Sequence, residues 1–173
     1  LQKSPTWQAD WQYWLLRLES LPPAPALPQV MAAESLQQPR FQRFAGELAA
    51  SDWQRLQERA RDAGITPSMI LCAAYAEVLA VWSESSDFCL NVTLFNRWPM
   101  HASVNQLIGD FTALELLAVS LDYEQDFVTR AQQLQSQLLE DLSHRSVNGV
   151  HVLAELAKRQ KRPHSALMPV VFT

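Results

Sequence analysis

Apolar residues recur at three- and four-residue steps near the start of the chain. Trp7, Trp11, Trp14, Leu15 and Leu18 fall on one face of an opening helix, with Thr6 as its expected cap. The run Leu21-Pro22-Pro23-Ala24-Pro25-Ala26-Leu27-Pro28 ends it, because proline removes backbone donors and clashes with a preceding turn. Such a run predicts an extended, stiff connector between structural units. Arg40 to Leu48 carries a weak strand pattern. Ser51-Asp52-Trp53-Gln54 then offers a capping box for a helix that Gly64 closes. Thr66-Pro67 opens another, with a capping hydroxyl and proline at the first helical position. From Met69 to Trp82 that helix is apolar almost all round, which predicts burial between layers.

The period then changes to two. Phe88, Leu90, Val92 and Leu94 alternate with Cys89, Asn91 and Thr93, predicting a strand with one apolar and one more polar face. Asn96-Arg97-Trp98-Pro99 breaks it, and a second strand is expected from Phe111 to Ser120. Phe127, Ala131, Leu134 and Leu138 return to helical spacing, with a Gln-rich opposite face. Asn148 caps a shorter helix ending in Lys158, Arg159, Lys161 and Arg162, cations suited to a helix C-terminus. Pro169 to Thr173 reads as a final β-branched strand. Strands separated by helix pairs, without internal repeats, predict an α/β layered domain.

Composition narrows the function classes. The 173 residues suffice for one domain with a real core. The net charge of -4 gives nucleic-acid binding no electrostatic support. The apolar runs fall short of the ~20 residues of a membrane span. The opening residues Leu1 to Pro5 show no secretory signal, and without an initiator Met the chain is expected to begin inside a longer, cytoplasmic polypeptide. Cys72 and Cys89 lie in apolar segments and read as buried reduced thiols. His101, His144, His151 and His164 are scattered, so no metal site is expected.

Four segments carry a family resemblance. LPPAPALP (21–28), TPSMILCAAYAEVLAVW (66–82), GDFTALELL (109–117) and PVVFT (169–173) occur in this order. Together they resemble the LPxxPxLP, TPSxxLxxAYAxVLxxW, GDFTxLxLL and PVVFTS motifs of the heterocyclization branch of the condensation-domain superfamily. The resemblance implies a chloramphenicol-acetyltransferase-like layered sheet with helices. Residues 1–30 would bridge from an N-terminal lobe, and 31–173 would form part of the C-terminal lobe. The family's DxxxxD motif would lie upstream and its SQTPQVxLD motif downstream, so the chain alone is expected to be inactive. The implied reaction is amide formation between an acyl thioester and a Cys, Ser or Thr thioester, followed by cyclodehydration to a thiazoline or oxazoline. No cofactor would bind directly, since both substrates ride on the phosphopantetheine arms of carrier proteins. The implied partners are upstream and downstream peptidyl carrier proteins, an adjacent adenylation domain and the rest of the condensation-type domain, with neither nucleic acid nor membrane among them.

The resemblance makes Thr173 a catalytic candidate that works with the downstream aspartate. Its hydroxyl donates and accepts but does not ionise near neutral pH, so it orients or relays a proton. Asn91, on the more polar strand face, is placed to hydrogen-bond a thioester or amide carbonyl. Asn96 competes for that assignment, and either asparagine also reads as a backbone-satisfying residue near a strand end. Asp110 enters a strand as a third candidate, although a Gly-Asp pair also shapes turns. Thr112 shares its face. Tyr75 and Trp82, seven apart on the buried helix, read as core or as channel rings. The cluster from Lys158 to Arg162 reads as a solvated helix end or as a contact for an acidic carrier protein or pantetheine phosphate.

Overall fold

The computed structural model describes residues 4–30, 35, 37–38, 40–99, 101–161 and 167–173. Of the expected features, Arg162 and His164 lie outside the described residues, as do Leu1, Gln2 and Lys3 of the opening segment.

Pro5 fixes the first helical position of α1 (Pro5–Ser20). Ser4, not Thr6, is its cap, accepting the Trp7 N–H at 3.1 Å. Thr6 already stands inside the first turn, two residues past the cap. The proline-rich stretch after α1 has no regular structure, as expected, but it is packed. The Pro23 carbonyl accepts the Cys89 N–H at 2.7 Å, and Leu21, Ala24 and Leu27 are partly buried against the core.

Two expectations fail in the next segment. Residues 40–49 form no strand: Phe41 is 98% exposed and Phe44 84%, and among the described residues no strand pairs with the weak alternation. The helix α2 (Ala50–Asp62) starts before Ser51, so Ser51 lies within it and the cap residue Ala49 contributes no side chain. Its end follows the sequence. Gly64, at φ 68°, supports a Schellman closure in which the Ile65 N–H reaches the Ala60 carbonyl at 2.8 Å and the Gly64 N–H reaches Arg61 at 3.0 Å. Thr66 then caps α3 (Pro67–Trp82), accepting from the Met69 N–H.

Helix α3 is not buried all round. Met69, Ile70, Cys72, Ala73, Ala76, Leu79 and Ala80 are buried, whereas Val78, Val81 and Trp82 are largely exposed. A helix packed on a sheet from one side buries one stripe, whatever its composition.

The sheet is built from β1 (Asp87–Phe95), β2 (Thr112–Ser120) and β3 (Val171–Phe172) in the order β2-β1-β3. β1 pairs antiparallel with β2, from Asp87 opposite Ser120 to Phe95 opposite Thr112. It pairs parallel with β3, Asn91 beside Val171 and Val92 beside Phe172. Between β2 and β3 run α4 (Phe127–Ser143), capped by Asp126, and α5 (Gly149–Arg159), capped by Asn148.

Helices cover both faces of the sheet. Phe88, Leu90, Val92, Leu117 and Val119 pack with buried residues of α3 and α4. Cys89 and Leu116 pack with Trp14 and Leu18 of α1 and with Val152 and Leu156 of α5. The expected polar face of β1 is therefore interior, because α1 and α5 cover it. The Gln-rich face of α4 also has partners: Gln132 donates to the Ala63 carbonyl at 2.7 Å, and Gln135 bridges the Gly64 carbonyl and the Thr66 N–H. At the end of α5, Lys158 and Arg159 face Glu155 at 3.9 and 3.1 Å.

Candidate functional site

Strand alternation and register decide which candidates meet. Residues two apart on a strand point to the same side, and paired residues share a side. Asn91, Thr93 and Phe95 of β1 therefore share one face with Leu116, Leu114 and Thr112 of β2. Val171 joins them across the parallel pairing, and continuing the alternation one residue past β3 puts Thr173 on that face, level with Thr93. Strand spacing and rise put the Asn91 and Thr173 Cα atoms about 8 Å apart, while Thr112 lies about 13 Å along the strand from Asn91. The first pair can address one small group; Thr112 cannot join it at the same atom.

Asn91 is 7% exposed, and its backbone N–H donates to the Val170 carbonyl at 3.0 Å. Its side-chain Oδ1 is buried and has no hydrogen-bond partner among the described residues. A buried amide oxygen with nothing to accept is costly, and Asn91 shares that state with single atoms of Arg97, Glu115, Gln125 and Asp141. Thr173 is exposed.

Tyr75 does not join them. Its ring packs against Phe172, 6.1 Å between centroids, in the core cluster on the opposite side of the sheet. Trp82, seven residues on, is 64% exposed.

Asp110 accepts the Thr112 N–H at 2.8 Å, an Asx turn that launches β2. Hydrogen bonding from the Thr112 hydroxyl and then from its N–H holds the carboxyl below its usual range, and Asp110 is exposed. Asn96 closes the end of β1: its N–H donates to Phe111 at 2.9 Å and its side-chain amide to the Arg145 carbonyl at 3.4 Å. Beside it, the Arg97 guanidinium lies 3.9 Å over the Phe111 ring and donates to the Val104 carbonyl.

Burial pushes the thiols of Cys72 and Cys89 up to about 11 and about 12, which leaves both protonated and unreactive near neutrality. Three cavities lie away from these residues: one of about 170 Å³ between β2 and α4, lined by Ala118, Arg130 and Gln137 among others, one of about 170 Å³ along α2 at Asp52, Arg55, Leu56 and Arg59, and one of about 370 Å³ at the α2–α3 turn.

A buried polar network escaped the sequence reading. Tyr13 donates to Asp141 at 2.6 Å, and Arg17 lies 3.4 Å from the same carboxylate. Asp10 accepts from the Ser146 N–H and hydroxyl, and lies 3.1 Å from His144 Nδ1. Glu115 is 1% exposed, and burial followed by the charge of Asp141 pushes its carboxyl up to about 8. The signal was present: Asp10 sits among Trp7, Trp11 and Trp14 on the apolar helix face, and Glu115 sits in phase with Leu117 and Val119. A charge at an apolar-phase position needs a buried partner.

Comparison with known proteins agrees with this architecture, for the condensation-domain family model matches residues 1–173. The chain belongs to the condensation-domain family. It is 43% identical over 172 residues to pyochelin synthetase PchF of Pseudomonas aeruginosa, covering 99% of this chain and 9% of that protein. It is 40% identical over 169 residues to phenyloxazoline synthase MbtB of Mycobacterium tuberculosis, covering 98% and 12%. The solved EpoB cyclization-docking bidomain from Sorangium cellulosum superposes with a TM-score of 0.89 at 38% identity, over 98% of this chain and 34% of that one. The chain thus has the mixed α/β fold of condensation domains and spans about a tenth of these synthetases' length.

Proposed function

We propose that the chain is part of a nonribosomal peptide synthetase heterocyclization domain, acting within a larger enzyme. Its relatives include a phenyloxazoline synthase and a cyclization bidomain, and the TPSMILCAAYAEVLAVW and PVVFT motifs point the same way. The substrates are an acyl or peptidyl thioester and a Cys, Ser or Thr thioester, each delivered on a phosphopantetheine arm by a carrier protein. An adjacent adenylation domain selects the amino acid, and the work is cytoplasmic. Residues 1–30 serve as the bridge from the other lobe, and 31–173 as part of the C-terminal lobe.

The observation that carries the reading is Asn91 on β1 with its Oδ1 unpaired among the described residues, opposite Val171 of the parallel strand β3 that Thr173 follows. In ring closure the Cys, Ser or Thr side chain adds to the new amide carbonyl, and the adduct then loses water. The departing oxygen gains a proton and the ring nitrogen loses one, so relays are required at two atoms. Thr173 supplies a hydroxyl that accepts and passes on a proton, and the Asn91 oxygen accepts from the substrate N–H and holds the amide in place. Tethering of both substrates supplies much of the rate by making the encounter close to unimolecular. Asp110 and Thr112 form the rim where β2 begins, Asn96 the neighbouring strand end.

The test is a reconstituted assay of the complete synthetase with loaded carriers, product masses being read for wild type and Thr173→Ala. The expected wild-type product is one water lighter than the linear amide, with the variant stalling at the amide. A wild type that itself stops at the amide assigns the domain to ordinary condensation.

A further inference from the structure

The turn between α4 and α5, residues 144–148, touches three parts of the molecule in a residue-by-residue order. His144 and Ser146 face α1: both bond to Asp10, and the His144 carbonyl accepts the Trp14 indole N–H at 3.3 Å. Arg145 faces the exit of β1, where its carbonyl accepts from the Asn96 side chain at 3.4 Å and its guanidinium lies 5.5 Å from the Trp98 ring centroid. Asn148 and Gly149 face the start of β2. The Asn148 Oδ1 accepts from both Leu114 N–H and Val150 N–H, and Gly149 sits so close that a Cβ would be 2.6 Å from the Leu114 carbonyl oxygen. The turn is therefore wedged between α1 and the strand ends that border the candidate site.

One residue sets it from the α1 side. Asp10 is 6% exposed, and both of its carboxylate oxygens are engaged by the turn. Three donors around one buried carboxylate fix a turn more rigidly than its backbone bonds alone, since losing the acceptor would leave partly buried donors unpaired. We propose that Asp10 is a positioning residue for ring formation: through the 144–148 turn it holds Asn96 and the first residues of β2 in register with the site. This rests on the reading of the Asn91–Thr173 face, which that strand end borders, as the site of heterocyclization.

The experiment uses the complete heterocyclization domain in its synthetase, comparing wild type, Asp10→Ala, Asp10→Asn and Ser146→Ala. Amide hydrogen exchange is followed in peptides covering 144–148, 96–98 and 112–116, with 88–92 as the internal reference. In Asp10→Ala the first three sets are expected to exchange roughly tenfold faster while 88–92 is unchanged. The kcat for ring product is expected to fall about tenfold with KM nearly unchanged, as loss of alignment rather than of binding dictates. Asp10→Asn, isosteric and still an acceptor for Ser146, is expected to recover most of both. If Asp10→Ala unfolds throughout, Ser146→Ala decides, because it removes only a hydroxyl and is expected to give the same pattern at smaller amplitude. Faster exchange confined to 144–148, with 96–98 and 112–116 unmoved, overturns the proposal. So does a fall in kcat without any exchange change. A wild type that forms only linear amide removes the heterocyclization reading, and the exchange pattern still decides whether Asp10 orders the strand ends.

Discussion

The two faces of the sheet are held in different ways. On the α3–α4 side, Phe88, Leu90, Val92, Leu117 and Val119 meet an alanine-rich stripe of α3, and apart from the buried Glu115 this face of the two strands is apolar. On the α1–α5 side, Trp14, Cys89, Leu116 and Val152 share the interior with Asp10, Asn91 and, through Tyr13 and Arg17, Asp141. Apolar burial is non-directional and supplies stability. Buried hydrogen bonds add little net energy but penalise every arrangement except the one that satisfies them, which makes them suited to fixing α1 against the turn. The candidate site residues Asn91, Thr112 and Thr173 belong to the second face, where orientation matters most. Asp141 links the faces, since it stands on α4 and bonds to Tyr13 and Arg17 of α1.

The largest expected effect breaks the apolar face. Phe88→Ala removes a fully buried ring and is expected to cost about 3–5 kcal/mol, read as a lower denaturation midpoint with an unchanged m-value. If the loss were under about 1 kcal/mol, the apolar face would not be the main store of stability.

Glu115→Gln sharpens the comparison through pH. The carboxyl is raised from 4.5 to about 8 in the fold, so between those values the folded state holds a proton that the unfolded chain has released. Its contribution is complete below about pH 4.5 and is lost as pH rises towards 8. The amide variant is therefore expected to be the more stable by about 2 kcal/mol or more at pH 8.5, and close to wild type at pH 4.5, by thermal unfolding at both. An equal difference at the two pH values would place Glu115 in a solvated setting.

The smallest of the three effects tests the close approach on the other face. Gly149→Ala sets a methyl against the Leu114 carbonyl, which can yield only by moving α5 or β2. A loss of about 1–3 kcal/mol is expected, together with weaker ring formation, because Leu114 lies two residues from Thr112. Stability lost without any loss of ring formation would separate this contact from the site.

The local code was legible for elements whose cause is local. Thr66-Pro67, Gly64, Asn148 and the period-two run from Phe88 to Leu94 dictate their caps, turn and strand through neighbouring residues alone, and the structure has each of them. Residues 40–49 misled because alternation without a pairing partner specifies nothing, and α3 misled because composition does not say which stripe a sheet will cover. Which residues share a face was out of reach. That Asn91 stands beside Val171, two positions before Thr173, and that Tyr75 turns away to pack on Phe172, follows from the β1–β3 register. So does the joining of Asp10 to His144 and Ser146 across more than a hundred residues. Strand pairing and helix docking are set by burial summed over distant segments, so tertiary structure alone decided the site's geometry, whereas the residue types able to do the chemistry were written in the sequence.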